Sequence, residues 1–169
     1  MNRLPGILAA ATLAAAAAFA LPPGGAVTEK PDITSRGGLR IGSVLIPWGN
    51  PAPLEIRGAD ATQSGPQACA FNATYGMTNL GNVPTAPAFT SRLRVDGMTV
   101  AATNSGLTLA AHETKGVATS PYLPIGSHSI ELSLDDESAV AESRKDNNRF
   151  KVLYVLKAPC GPAPAPGKK

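Results

Sequence analysis

The chain has 169 residues, a net charge of +3, 43% hydrophobic but only 5% aromatic residues, 16% charged residues, 17 Gly, 16 Pro and 2 Cys. This length allows one domain with appendages and excludes a large multidomain enzyme. Gly and Pro follow no triplet period, which excludes collagen; no like-charged block is long enough for a disordered polyelectrolyte, and the mild charge is not a nucleic-acid footprint.

The first 20 residues read as an address. Arg3 gives a short positive region, Ile7 to Leu21 is apolar except at Thr12, and Ala18-Phe19-Ala20 places small residues where signal peptidase cuts. The run is short for a membrane span, and Pro22-Pro23-Gly24-Gly25 breaks any helix after it. A cleaved secretory signal over residues 1–20 is the expectation, with an uncleaved anchor as the alternative; no stable membrane span is expected after cleavage. The product would be exported, periplasmic or extracellular. Residues 21–38, rich in Gly, Pro and polar side chains, read as a flexible leader, and residues 161–169 as an extended Pro/Ala/Lys tail. The foldable part is therefore 39–160.

Within it the pattern is of short strands. Leu39, Ile41 and Val44-Leu45-Ile46 suggest a first strand ended by Pro47, and Leu54 and Ile56 a brief second. Cys69, Phe71, Ala73, Tyr75 and Met77 share one face at period two, ending at Asn79-Leu80-Gly81-Asn82. Phe89, Ser91, Leu93 and Val95 line another face, and Asp96-Gly97 before Met98 signals a two-residue hairpin. An apolar face begins at Leu107 and Leu109 and resumes at Val117 beyond the polar stretch 112–115. Alternation returns in Ile130, Leu132, Leu134 and in Phe150, Val152, Tyr154, Leu156. Helical spacing is scarce; 139–145 could hold one or two turns. About seven strands at roughly 8–12-residue intervals predict an all-β, immunoglobulin-like β-sandwich preceded by the signal.

Export makes Cys69 and Cys160 informative, because they are the only pair available in an oxidising compartment. A structural disulfide between them is expected, the alternative being free or intermolecular thiols. Neither His112 nor His128 lies near either Cys in sequence, so a zinc site is not indicated.

The segment from Cys69 to Leu156 resembles CARDB, the cell-adhesion-related domain found in bacteria. The resemblance rests on Asn79-Leu80-Gly81-Asn82, Val95-Asp96-Gly97, Leu107-Thr108-Leu109, the run Leu123-Pro124-Ile125-Gly126-Ser127-His128-Ser129-Ile130, and the closing Asp135-Asp136, Val140, Glu142-Ser143 and Asp146-Asn147-Asn148. It implies an immunoglobulin-like sandwich serving as an accessory or adhesive module. Lys145 stands where the family pattern often has an acidic residue, which weakens a metal role for this loop. Asn147 and Asn148 have a sufficient role as turn formers, by tolerating left-handed backbone angles and satisfying backbone groups, and Glu142 could accept backbone N–H bonds in the same connection.

Asp135, Asp136 and Glu137, with Glu142 and Asp146 downstream, are weak metal candidates that lack the spacing of a calcium loop; a solvated acidic turn is the better reading, so no metal or other cofactor is expected. His112 and His128 are accompanied by no nucleophile elbow, zinc-binding helix motif or phosphate loop, so no catalytic residue is assigned and no enzyme activity is expected. Trp48, between Pro47 and Gly49, is a possible binding residue if exposed and a cap on the core if buried. Asn72-Ala73-Thr74 matches a glycosylation sequon by chance. The expected function is an exported, non-enzymatic module that binds a protein or cell-surface polysaccharide through strand edges and loops. The alternative, a carbohydrate-binding module, requires Trp48 beside Tyr75, Tyr122 or Tyr154 in a planar row.

Overall fold

The computed structural model describes residues 29–102 and 106–161; the expected signal peptide and all of the tail beyond Gly161 lie outside the described residues. Twelve short strands follow in chain order: β1 (Ile33–Thr34), β2 (Leu39–Ile41), β3 (Val44–Ile46), β4 (Leu54–Ile56), β5 (Ala68–Ala70), β6 (Ala73–Asn79), β7 (Ser91–Val95), β8 (Met98–Ala102), β9 (Thr114–Thr119), β10 (Tyr122–Pro124), β11 (Gly126–Leu134) and β12 (Arg149–Leu156). One 3₁₀ turn, Gly58–Asp60, is the only helical element among the described residues. The all-β expectation holds.

Several of these strands are pieces of longer ones. Cys69 faces Leu123 and Ala73 faces Thr119, a single unbroken register, so β5 and β6 form one run and β9 and β10 its antiparallel partner. On the other side of β6, Thr34 faces Thr78 and Leu39 faces Tyr75, so β1 and β2 form a second run interrupted by two extra residues. With β7, β8, β11 and β12 this gives the seven runs that the sequence spacing implies, plus the short β3 and β4. The first sheet is ordered β3, β2/β1, β6, β9; the second is β4, β12, β11, β7, β8, with β4 parallel to β12 and the rest antiparallel.

Alternation decides which side chains lie between the layers, because successive residues of a strand point to opposite faces. Cys69, Phe71, Ala73, Tyr75 and Met77 are buried from the first sheet, and Leu93, Val95, Ile130, Leu132, Leu134, Val152, Tyr154 and Leu156 from the second. Leu123 adds to the core from β10, and Phe89, Leu109 and Val140 close it from the connections. The Asp96-Gly97 hairpin forms with Val95 opposite Met98, both turn residues at positive φ (47° and 86°), as a two-residue turn of this hand requires.

Two expectations need correction. The chain is built into the fold from Pro31, not from Leu39: Ile33 is fully buried and pairs with Asn79, so the last part of the expected leader is a strand. Two paired residues are too short a run to show periodicity. Leu107 and Leu109 do not begin a strand either; Leu107 makes one isolated bridge to Phe89, while the face expected to resume at Val117 is β9, which starts two residues inside the stretch expected to be polar connection. Its sequence, Thr-Lys-Gly-Val-Ala-Thr, carries almost no apolar alternation because it lies at the margin of its sheet, with β6 as its only partner among the described residues.

Candidate functional site

The Glu-Ser-x-x-x-Asn-Asn element lies in the long connection from β11 to β12, and what it holds is the N-terminal segment. Glu142 Oε2 accepts the Ile33 N–H at 2.7 Å, and its Oε1 accepts from Asn148 Nδ2 at 2.7 Å. Ser143 donates its N–H to Pro31 O at 2.9 Å, Asn147 Nδ2 donates to Asp32 Oδ1 at 2.7 Å, and Thr34 Oγ1 donates to Asn147 O at 3.2 Å. The geometry differs from that of the expected turn formers. Neither Asn takes a left-handed backbone; the positive-φ positions of this connection are Asp135 (44°) and Ser138 (55°). Burial pushes the Glu142 carboxyl up to about 7 against the lowering effect of its two donors. Asn79, fully buried, completes the clasp from the end of β6: its Oδ1 accepts from Asp32 and Gly81 N–H, and its Nδ2 donates to Val83 and Ala110 carbonyls.

The acidic turn is consumed by cations and backbone. Both oxygens of Asp135 accept N–H groups, from Ala139 at 2.8 Å and Val140 at 3.1 Å. Asp136 receives two bonds from Arg94, at 2.8 Å each, and another from Arg92, which also pairs with Glu137. Hydrogen bonds led by that from Arg94 hold the Asp136 carboxyl well below the usual range. Of these acids Glu137 is solvated, but Asp135 and Asp136 are buried or nearly so, which corrects the picture of an open acidic turn.

Trp48 is half-buried and used internally. Its ring lies 5.3 Å from that of Phe150, and its Nε1 donates to Ser35 Oγ at 2.9 Å, which in turn donates to Gly76 O at 2.6 Å. This relay satisfies the β6 carbonyl left over where β1 and β2 break. Beside it Gly38 (φ 141°) is required, since a Cβ there would stand 2.3 Å from Ile46 O. Tyr75 and Tyr154 are buried in the core, so neither joins Trp48 in an exposed planar row. His112 is an exposed turn residue with φ 59°. His128 has both ring nitrogens against acceptors, Nδ1 at 2.6 Å from Asp96 Oδ2 and Nε2 at 3.1 Å from Ile125 O. Only the imidazolium donates at both positions, and the hydrogen bond to Asp96 raises the His128 pKa. Ser129 Oγ bonds to Asp96 rather than to the ring, so this serine is not aimed for proton transfer to His128.

What these internal uses leave exposed is concentrated at the opposite end of the sandwich from the Glu142 clasp. There Cys69 and Cys160 are joined by a disulfide that ties the chain after β12 to β5. Beside it, Met98 (75% exposed) and Tyr122 (54%) are two of the three exposed large hydrophobic side chains among the described residues. They flank a groove of about 380 Å³ with Val100, Pro124, His128 and Asp96. The groove separates the edge strand β8 from β10. Residue spacing could not have exposed it: Met98 follows a hairpin turn as any strand residue would, and only the sheet order makes β8 an edge.

The fold is an immunoglobulin-like sandwich with an exposed apolar groove and open sheet edges. The CARDB family model matches residues 54–152, more than half of the chain, and the protein belongs to that cell-adhesion-related family. The match begins at β4, before the segment that carries the motifs. Among solved structures, the crystallised CARDB domain of the PF1109 protein from Pyrococcus furiosus, in complex with di-metal ions, superposes with a TM-score of 0.54 at 18% identity, covering 76% of this chain and 90% of that one. A domain comprising residues 272–376 of a Methanosarcina acetivorans protein, described as a cell surface protein, gives 0.52 at 20% identity over 78% and 96% of the two chains. At such identities the likeness speaks for the fold alone. No curated protein matches this chain.

Proposed function

We propose that this protein is an exported, non-enzymatic module of adhesion type that acts in the periplasm or outside the cell by binding another macromolecule, foremost a protein, through loops and strand edges. The observation that carries this reading is the groove between β8 and β10, where Met98 and Tyr122 stand exposed beside one another's strands. Exposed large hydrophobics gathered at one site characterise contact surfaces, and Tyr is among the residues that dominate them. Family membership and the absence of a membrane-spanning helix among the described residues accord with it.

The di-metal ions of the Pyrococcus relative do not transfer to the acidic turn of this chain. Asp135 has both oxygens engaged by N–H groups, and Asp136 faces two guanidinium ions, so a cation there would displace internal bonds and meet like charge.

Affinity capture from the native envelope tests the reading. The mature protein is expected to retain a protein partner that the Met98→Asp and Tyr122→Asp variants lose. Recovery of polysaccharide alone, undiminished in those variants, would replace this reading with the carbohydrate-binding one.

A further inference from the structure

The two open edges on this side of the sandwich are built differently. β8 carries an extra residue: Leu93 faces Ala101 but Arg94 faces Thr99, leaving Val100 unpaired as a bulge. A bulge twists an edge away from an incoming strand. β9 has no such guard. Its six residues pair with β6 without a shift, and Lys115, the one cation on it, is turned back to Thr108 O at 2.6 Å and Glu113 at 3.4 Å. Asn79 N–H bonds Glu113 O and Phe71 N–H bonds Pro121 O, so the β6–β9 bonds fall on odd-numbered residues. Antiparallel alternation then turns the N–H and C=O groups of Thr114, Gly116 and Ala118 outward, away from β6. These residues are small, uncharged and exposed.

The face beside that edge is equally specific. Gly76 and Gly116 sit directly opposite one another, and a Cβ on Gly116 would meet nothing within 4 Å. Together they floor a hollow of about 330 Å³ whose far wall is formed by Arg36 and Arg40. Both arginines are exposed; neither makes an ion pair among the described residues, and no acidic residue lines the hollow. From these observations we infer that the edge of β9 is a strand-addition site for an extended segment of a partner protein, with an acidic side chain opposite Gly116 laid across the two glycines onto Arg36 and Arg40. A strand added to β9 would lie three strand spacings, about 14 Å, from β2, a span that an Arg and a Glu side chain close by reaching toward one another. Main-chain bonds along β9 supply the register, and the arginines choose the charge.

The inference deepens the macromolecule-binding reading and rests on it. The probe is a blocked nine-residue peptide of Thr, Ser and Val with a central Glu, compared with versions carrying central Gln or Lys, titrated into isotope-labelled protein. The Glu peptide is expected to bind with slowed amide exchange at Thr114, Gly116 and Ala118, and the Lys peptide to bind about tenfold or more weaker, the scale of one charge-assisted hydrogen bond. Gly116→Pro, which removes an outward donor, and the double variant Arg36→Glu with Arg40→Glu, which leaves the backbone edge intact, should each abolish the preference. Equal binding of the Glu and Lys peptides, protection on β8 instead, or a dimer of this chain dispersed by Gly116→Pro would overturn the site. If the double variant still captures the envelope partner while no peptide binds, the β9 assignment alone fails; if wild-type protein captures nothing, the underlying reading fails.

Discussion

At one end of the sandwich polar side chains converge on a buried strand, and at the other large apolar side chains stand in solvent. The Glu142 clasp gathers Glu142, Ser143, Asn147 and Asn148 around residues 31–34, with bonds spanning 109 to 115 positions of sequence in the longest cases. Across the molecule, the disulfide end leaves Met98 and Tyr122 in solvent, and the open edge of β9 runs between the two ends. A motif rich in acids and amides invites a functional assignment, yet here those residues hold the chain's first strand. On the surface suited to contact, the residues that lead it, Met98, Val100 and Tyr122, fall between the motifs.

The largest expected effect tests what the exposed end depends on. Cys69 and Cys160 close a loop with a sequence separation of 91, which on the chain-entropy model destabilises the unfolded state by roughly 4–5 kcal/mol. Reduction, or Cys160→Ser, should lower the denaturation free energy on that scale, and intact protein should yield no alkylatable thiol. Finding two free thiols in freshly exported protein would remove the staple from this end. At the clasp, Glu142→Ala strands the buried Ile33 N–H and Asn148 amide and should cost about 2–4 kcal/mol, the scale of two abandoned buried donors. Hydrogen exchange should show the loss first at Ile33 and Thr34. Uniform destabilisation with β1 still protected would break the contrast between the ends.

Glu142 also gives the clasp a pH dependence. Burial pushes its carboxyl up to about 7 in the folded protein, against an ordinary 4.5, so folding takes up a proton between those pH values. The contribution is fully present below about 4.5 and is lost as pH rises through 7. Asn148 Oδ1, buried without a partner, could accept the proton of neutral Glu142 after an amide flip. The Glu142→Gln variant should therefore flatten the decline in denaturation free energy between pH 5 and 8. His128 slopes the same way, its raised pKa giving stability that is lost as pH climbs above its folded value, so the Gln variant should keep a residual slope. No change on Glu142→Gln would place the neutral carboxyl elsewhere.

Legibility in the sequence followed burial. Strands with one face in the core announced themselves: Cys69 to Met77 and Ile130 to Leu134 alternate because water is on one side only, and Asp96-Gly97 marked its turn because few residues accept those angles. β9 showed itself only at Val117, since an edge strand otherwise made of Thr, Lys, Gly and Ala has little apolar face to declare. β1 was hidden because its stability comes from side chains more than a hundred residues away, a pairing that no local window contains. Trp48 was the reverse case, conspicuous by composition and spent on closing a backbone gap at Ser35 and Gly76.

The smallest expected effect is the sharpest test of the exposed end. Met98 is 75% exposed on an edge strand, and Tyr122, though its hydroxyl meets Gln63, is 54% exposed. Replacing Met98 by Ser removes little buried area, so thermal unfolding should move by no more than about 0.5 kcal/mol, the usual range for a surface position. If the groove is a contact surface, that same change should weaken partner capture many times over, because binding and folding would draw on different atoms. A stability loss of core magnitude would instead mean that Met98 packs in solution, and the groove would then belong to the fold, like the clasp opposite it.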